Sequence, residues 1–93
     1  MQKRTINKAK KNGVGIYQTT TQRADGTFDC IELSPLGWWQ DGECPDEFFV
    51  SYAILADGSF KFDGAIYGED YPDTIANEQA FRDLLPEFAR VIR

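Results

Sequence analysis

The sequence predicts an α+β fold: a four-stranded antiparallel sheet made of two hairpins, packed by a Pro-kinked C-terminal helix, with a short N-terminal helix. Three observations predict it. Two segments, Ala24-Asp25-Gly26-Thr27-Phe28 and Ala56-Asp57-Gly58-Ser59-Phe60, share an Asp-Gly pair followed by a hydroxyl residue and Phe. The segments flanking the second pair alternate apolar and polar residues with the period of a strand. The C-terminal stretch repeats apolar residues at helical spacing.

Taken in order, Thr5 to Lys11 reads as a short helix stopped by Asn12-Gly13, because glycine accepts the left-handed conformation that closes a helix. Alone, so short a helix is marginal. A first strand near 14–22 carries Thr19, Thr20 and Thr21, which favour strand while leaving it weakly amphipathic. Asp25-Gly26 turns it into a second strand near 27–34. Asp-Gly suits a type I′ hairpin turn, since both central positions need positive φ. The stretch from Leu36 to Glu47 is rich in Gly, Pro and acids and reads as a loop. Its adjacent Trp38 and Trp39 cannot point the same way if the backbone there is extended.

A third strand near 48–56 sets Phe48, Val50, Tyr52 and Ile54 on one face and Phe49, Ser51, Ala53 and Leu55 on the other. Asp57-Gly58 turns it into a fourth near 59–67. There Phe60, Phe62, Gly64 and Ile66 share a face, opposite Ser59, Lys61 and Asp63. A second acidic loop runs from Gly68 to Asp73. Asp73 or Thr74 then caps a helix whose stripe is Ile75, Phe81, Leu84, Leu85, Phe88 and Ile92. Pro86 removes one backbone bond inside it, which predicts a kink, or a break with Pro86 opening a short last helix.

Ninety-three residues make one domain, and its 14% aromatic content lets a small core fill with large rings. Charge divides it. Residues 1–12 hold Lys3, Arg4, Lys8, Lys10 and Lys11 and no acid. Residues 13–93 hold the other five cations and all fifteen acids, 5 − 15 = −10. The organisation is therefore a basic N-terminal arm or short helix over 1–12 and a single acidic α+β domain over 13–93. The longest apolar runs are about four residues, against the roughly 20 that span a bilayer. No apolar stretch follows the charged start, so neither a signal peptide nor a membrane span is expected, and the reading is a cytoplasmic protein.

The composition removes several chemistries. Without histidine there is no Ser-His or Cys-His pair and no common neutral-pH base. Cys30 and Cys44 are expected to be free thiols, and two cysteines without histidine do not make an ordinary structural zinc site. Asn12-Gly13-Val14-Gly15 lacks the Lys-Ser/Thr ending of a phosphate loop. The clustered acids lack the spacing of a calcium loop. No enzyme activity, cofactor or metal is expected.

What remains is a surface. Asp41, Glu43, Asp46 and Glu47 sit in one loop; Glu69, Asp70 and Asp73 sit in the other. Trp38, Trp39, Tyr67 and Tyr71 fall at strand ends or loops, where aromatic rings supply buried area for few rotors. The residues expected to bind a partner are Trp38, Trp39, Asp41, Glu43, Asp46, Glu47, Glu69, Asp70, Tyr71 and Asp73. In size, charge and element order the chain resembles small acidic inhibitors made by phages and mobile elements, including some anti-CRISPR and anti-restriction proteins. That resemblance implies a non-enzymatic protein docking on a basic partner such as a nuclease or nucleic-acid-binding protein, as an inhibitor or nucleic-acid mimic. A toxin-neutralising immunity protein has the same surface logic. Two alternatives stand beside it. One is a nucleic-acid-binding accessory protein that contacts phosphates through residues 3–11, since an acidic body repels them elsewhere. The other is a small-ligand-binding domain using Trp38, Trp39 and Tyr71. Open sheet edges also allow a homodimer.

Overall fold

A computed structural model describes residues 1–92. The order is α1 (Lys3–Lys11), β1 (Val14–Arg23), β2 (Gly26–Pro35), a 3₁₀ turn (Leu36–Trp38), β3 (Val50–Ile54), β4 (Phe60–Ala65), β5 (Thr74–Ile75) and α2 (Glu78–Ile92). The five strands form one antiparallel sheet in the order β1-β2-β3-β4-β5. The fold is α+β, as the sequence predicts, with a fifth strand added.

Period-two alternation selects the core. Val14 and Ile16, Ile31 and Leu33, Val50 and Tyr52, then Phe60 and Ile75 form one cluster with Phe81, Leu85, Phe88, Ala89 and Ile92 of α2 and Ala9 of α1. Aromatic rings fill it: Phe60 lies 5.0 Å from Phe81, and Phe81 5.6 Å from Phe88, centroid to centroid. The Tyr52 hydroxyl donates to the Pro72 carbonyl at 2.8 Å, so the one polar end of this core is satisfied. No helix among the described residues is long and apolar enough to cross a membrane.

Four local expectations are corrected. Thr74 does not cap α2: it pairs with Lys61 in β5, and Asn77 caps the helix by accepting from the Ala80 N–H at 2.8 Å. Pro86 opens no separate last helix, because α2 runs continuously through it. The predicted face of β4 holds only to Phe62. A register shift places Gly64 opposite Ser51 and Ala65 opposite Val50, so the alternation flips after Asp63 and Ile66 is left 51% exposed. The two hairpin turns are not type I′. Gly26 already pairs with Arg23, leaving Ala24 and Asp25 as the turn, and at the second turn Gly58 is left-handed (φ 87°) while Asp57 is not. Asp57 instead accepts from the Ser59 N–H and hydroxyl at 2.9 and 2.6 Å.

α1 docks rather than trailing. Thr5 and Ala9 are fully buried, and the helix ends at Asn12 with Gly13 left-handed (φ 79°). Its start is held by α2: Glu78 accepts from the Gln2 N–H at 2.8 Å and the Thr5 hydroxyl at 2.6 Å. Arg82 donates to Gln2 Oε1 and Thr5 Oγ1 at 2.8 and 3.1 Å. Lys3, Arg4, Lys10 and Lys11 stay exposed.

Candidate functional site

The site is built where the loops β2–β3 and β4–β5 meet at one end of the sheet. After Pro35 the chain makes a single 3₁₀ turn and then returns to extended backbone at Trp39 (φ −78°, ψ 135°), which sends the two indoles apart. Trp39 lies on the sheet. Its indole N–H donates to Ser34 Oγ at 2.9 Å, and a Cβ added at Gly15 would come within 2.6 Å of its Cε2. Trp38 faces outward, 39% exposed.

Trp38 is one corner of an aromatic triad. Its ring lies 5.2 Å from Phe49 and 6.1 Å from Tyr67, edge-on to the latter at 82°. Phe49 and Tyr67 lie 5.1 Å apart. The Phe49 carbonyl accepts from the N–H groups of Ile66 and Tyr67 at 3.0 and 3.4 Å, which fixes the second loop against the start of β3. The Tyr67 hydroxyl donates to Glu47 Oε2 at 2.8 Å. That bond, and the negative charge of Glu47, push the Tyr67 phenol above its ordinary pKa. An open groove of about 530 Å³ beside Trp38 is lined by Gly37, Gln40, Pro45, Asp46 and Glu47.

The ten residues expected from sequence divide accordingly. Trp38, Asp46 and Glu47 share the groove, whereas Glu69 and Asp70 are exposed in the β4–β5 loop, with Asp70 beside Tyr71 and α2 residues Glu87 and Val91 instead of in the groove. Asp41 and Glu43 are exposed on a tight turn in which Gln40 and Glu43 exchange backbone bonds of 3.3 and 2.9 Å. Asp41 and Gly42 both have positive φ there (53° and 78°), the geometry the sequence assigns to Asp25-Gly26 and Asp57-Gly58. Trp39 is drawn away onto the sheet. Tyr71 is drawn to the rim of the core, stacked at 6.2 Å on both Phe62 and Phe88, and burial pushes its phenol pKa up. It serves the site indirectly, by donating to the Tyr67 carbonyl at 2.8 Å. Asp73 is exposed, and its carbonyl accepts from the Phe62 N–H at 2.8 Å beside β5.

Sequence reasoning left out Phe49 from the site, and named Tyr67 in the aromatic surface without setting it among the partner-binding residues. Tyr67 carried a signal, since it lies at a strand end before an acidic loop. Phe49 carried none beyond its place in the alternation.

Cys30 and Cys44 are free thiols, the first buried. Among the described residues no three His, Cys, Asp or Glu side chains come together as a metal ion would need. The arrangement therefore offers exposed rings and carboxylates: shape, apolar area and negative charge. No family model, curated protein or solved structure matches this chain.

Proposed function

We propose that this chain is a non-enzymatic binding protein whose aromatic and acidic end docks on a basic protein partner, as an inhibitor or nucleic-acid mimic does. The observation that carries the reading is the Tyr67–Glu47 hydrogen bond, which joins the β2–β3 and β4–β5 loops beside an outward-facing Trp38 flanked by Asp46 and Glu47. An exposed Trp backed by Phe49 and Tyr67 has the make-up of an interface anchor: large area and little side-chain freedom left to lose. The carboxylates around it supply steering. Residues 25–73 contain twelve acids and one cation, Lys61. That field attracts a basic surface over several ångströms and repels nucleic acid itself. The small acidic inhibitors of phages and mobile elements, which the chain resembles in size, charge and element order, use such surfaces against nucleases and nucleic-acid-binding proteins.

The test is affinity capture at low salt from cells of the native source, followed by titration with the purified partner. The expected partner has a pI above about 9. Its binding weakens as salt rises and is displaced by DNA or RNA if the surface mimics phosphates. Trp38→Ala should weaken it by about thirtyfold or more, equivalent to about 2 kcal/mol at a central aromatic anchor. Binding that ignores both salt and Trp38→Ala, or capture of acidic proteins alone, would sink the reading.

A further inference from the structure

We infer that β1 is a dimerisation edge, on which a second copy of this chain adds its own β1 antiparallel across a two-fold axis. The sheet has two edges, and they are built differently. β5 is two residues long and follows Pro72 and Asp73. Shortness, proline and charge are the usual devices that stop an edge from pairing. β1 is ten residues long, pairs with β2 in unbroken register, and has no charge and no proline from Val14 to Gln22. In a chain that is 27% charged, an edge so free of protection is suited to being covered.

The hydrogen-bonding pattern shows which groups face outward. The Leu36 N–H donates to the Gly13 carbonyl at 2.8 Å across the β1–β2 ladder. Bonded and non-bonded pairs alternate in an antiparallel ladder. Gly15, Tyr17, Thr19 and Thr21 therefore bond to β2, while Ile16, Gln18, Thr20 and Gln22 turn their N–H and C=O groups away from it. Among the described residues, no backbone bond from outside the β1–β2 ladder reaches 15–22.

A two-fold axis at Thr19, perpendicular to the sheet, satisfies those groups. It pairs Ile16 with the partner's Gln22 and Gln18 with the partner's Thr20, each pair exchanging both backbone bonds. On the face away from the core cluster it sets Tyr17, 40% exposed, against the partner's Thr21, and Thr19 against the partner's Thr19. Aromatic–β-branched and Thr–Thr pairs are favourable across strands. No side chain between Ile16 and Gln22 is charged, and the Met1 ammonium, which donates to Gln18 Oε1 at 3.1 Å, brings a positive charge to it, so two acidic molecules meet along a segment with no acid of its own. The same register carries Asp25 of one copy to the end of the other's α1, where Lys10 and Lys11 lie, acid against base. The interface is isologous, closes on itself, and leaves the Trp38 end of each protomer outside it.

Sedimentation equilibrium over a concentration series tests this. The wild type should reach twice the chain mass of 10.6 kDa. Thr20→Pro removes an outward N–H without touching the β2 ladder, so it should give the monomer mass with an unchanged circular dichroism spectrum. Thr19→Lys and Thr19→Glu each place like charges on the axis and should each be monomeric, while their mixture should restore the dimer. A wild type that stays at 10.6 kDa throughout, a dimeric Thr20→Pro, or a mixture that remains monomeric would each overturn the proposal.

Discussion

Gly15 decides where Trp39 goes. Any Cβ at that position would meet the indole, and the indole is anchored there by its 2.9 Å bond to Ser34. Gly15 and Ser34 are paired across β1 and β2, so the slot is made by two strands and filled by a residue following both. Gly15→Ala should therefore cost about 1–3 kcal/mol, the usual cost of overpacking a fitted contact. It should also shift tryptophan emission as the Trp39 indole loses its place. An unchanged denaturation midpoint together with unchanged emission would show that Trp39 does not depend on the slot. The sequence makes it legible that Trp38 and Trp39 diverge, because neighbours in extended backbone face opposite ways. It does not say which one faces out, because the choice lies with a glycine on a distant strand. The Asp-Gly pairs teach the same lesson. The chemistry permits a type I′ turn at each, yet both φ values are positive only at Asp41-Gly42. At 25–26 and 57–58 the strand register fixes a different turn, and Asp63-Gly64 lies inside β4 at its register shift.

Among the elements, those specified by local pattern were readable and those specified by partners were not. β1 to β4 follow from alternation and turn residues, and α1 from its Asn12-Gly13 stop. β5 is two residues that acquire strand character only by pairing with Phe60 and Lys61. Because those residues are taken, α2 begins later than Asp73 or Thr74 would suggest. Asn77 provides the cap, with its side chain accepting from the Ala80 N–H and its carbonyl from the Phe81 N–H at 2.8 and 3.0 Å. Glu78 adds an acid to the first turn, where the helix dipole favours negative charge. Asn77→Ala should cost about 1 kcal/mol, the ordinary loss of a side-chain cap. Amide exchange should speed up in the first turn of α2 before the rest of the helix. Equal protection in mutant and wild type would mean that β5 and the core hold that turn unaided. The bulge after Phe62 had one sequence signal, the glycine of Asp63-Gly64 inside a strand pattern, and it decides that Ile66 is exposed and that Tyr67 lies against Phe49.

For the whole molecule, the first and last elements close on each other through one carboxylate. Glu78 of α2 receives the Thr5 hydroxyl and the Gln2 N–H, and Arg82 stands 3.6 Å away. Partial burial alone would raise the Glu78 pKa. The two hydrogen bonds, the N-terminal ammonium and Arg82 outweigh it, so the carboxyl is held below its ordinary 4.5. A carboxyl whose folded pKa lies below its unfolded one stabilises the fold fully above the unfolded value. That stabilisation is lost as pH falls through the folded value. The docking of α1 should therefore be at full strength at neutral pH and weaken below 4.5. Glu78→Gln keeps the shape and one accepting oxygen but removes the charge, and should cost about 1 kcal/mol at pH near 7, the difference between hydrogen bonds to a charged and to a neutral acceptor. In acid, wild type and variant should converge, because the wild-type carboxyl is then neutral as well. Denaturant midpoints of both proteins across that range measure the convergence directly. A gap that persists unchanged in strong acid would assign the loss to packing around Thr5 instead of to the Glu78 charge. Such a result would also change how α1 is understood. A helix carrying five cations and no acid would then be held to an acidic body by its buried face and the Arg82 bonds to Gln2 and Thr5. The basic face would be left entirely to whatever approaches from solvent.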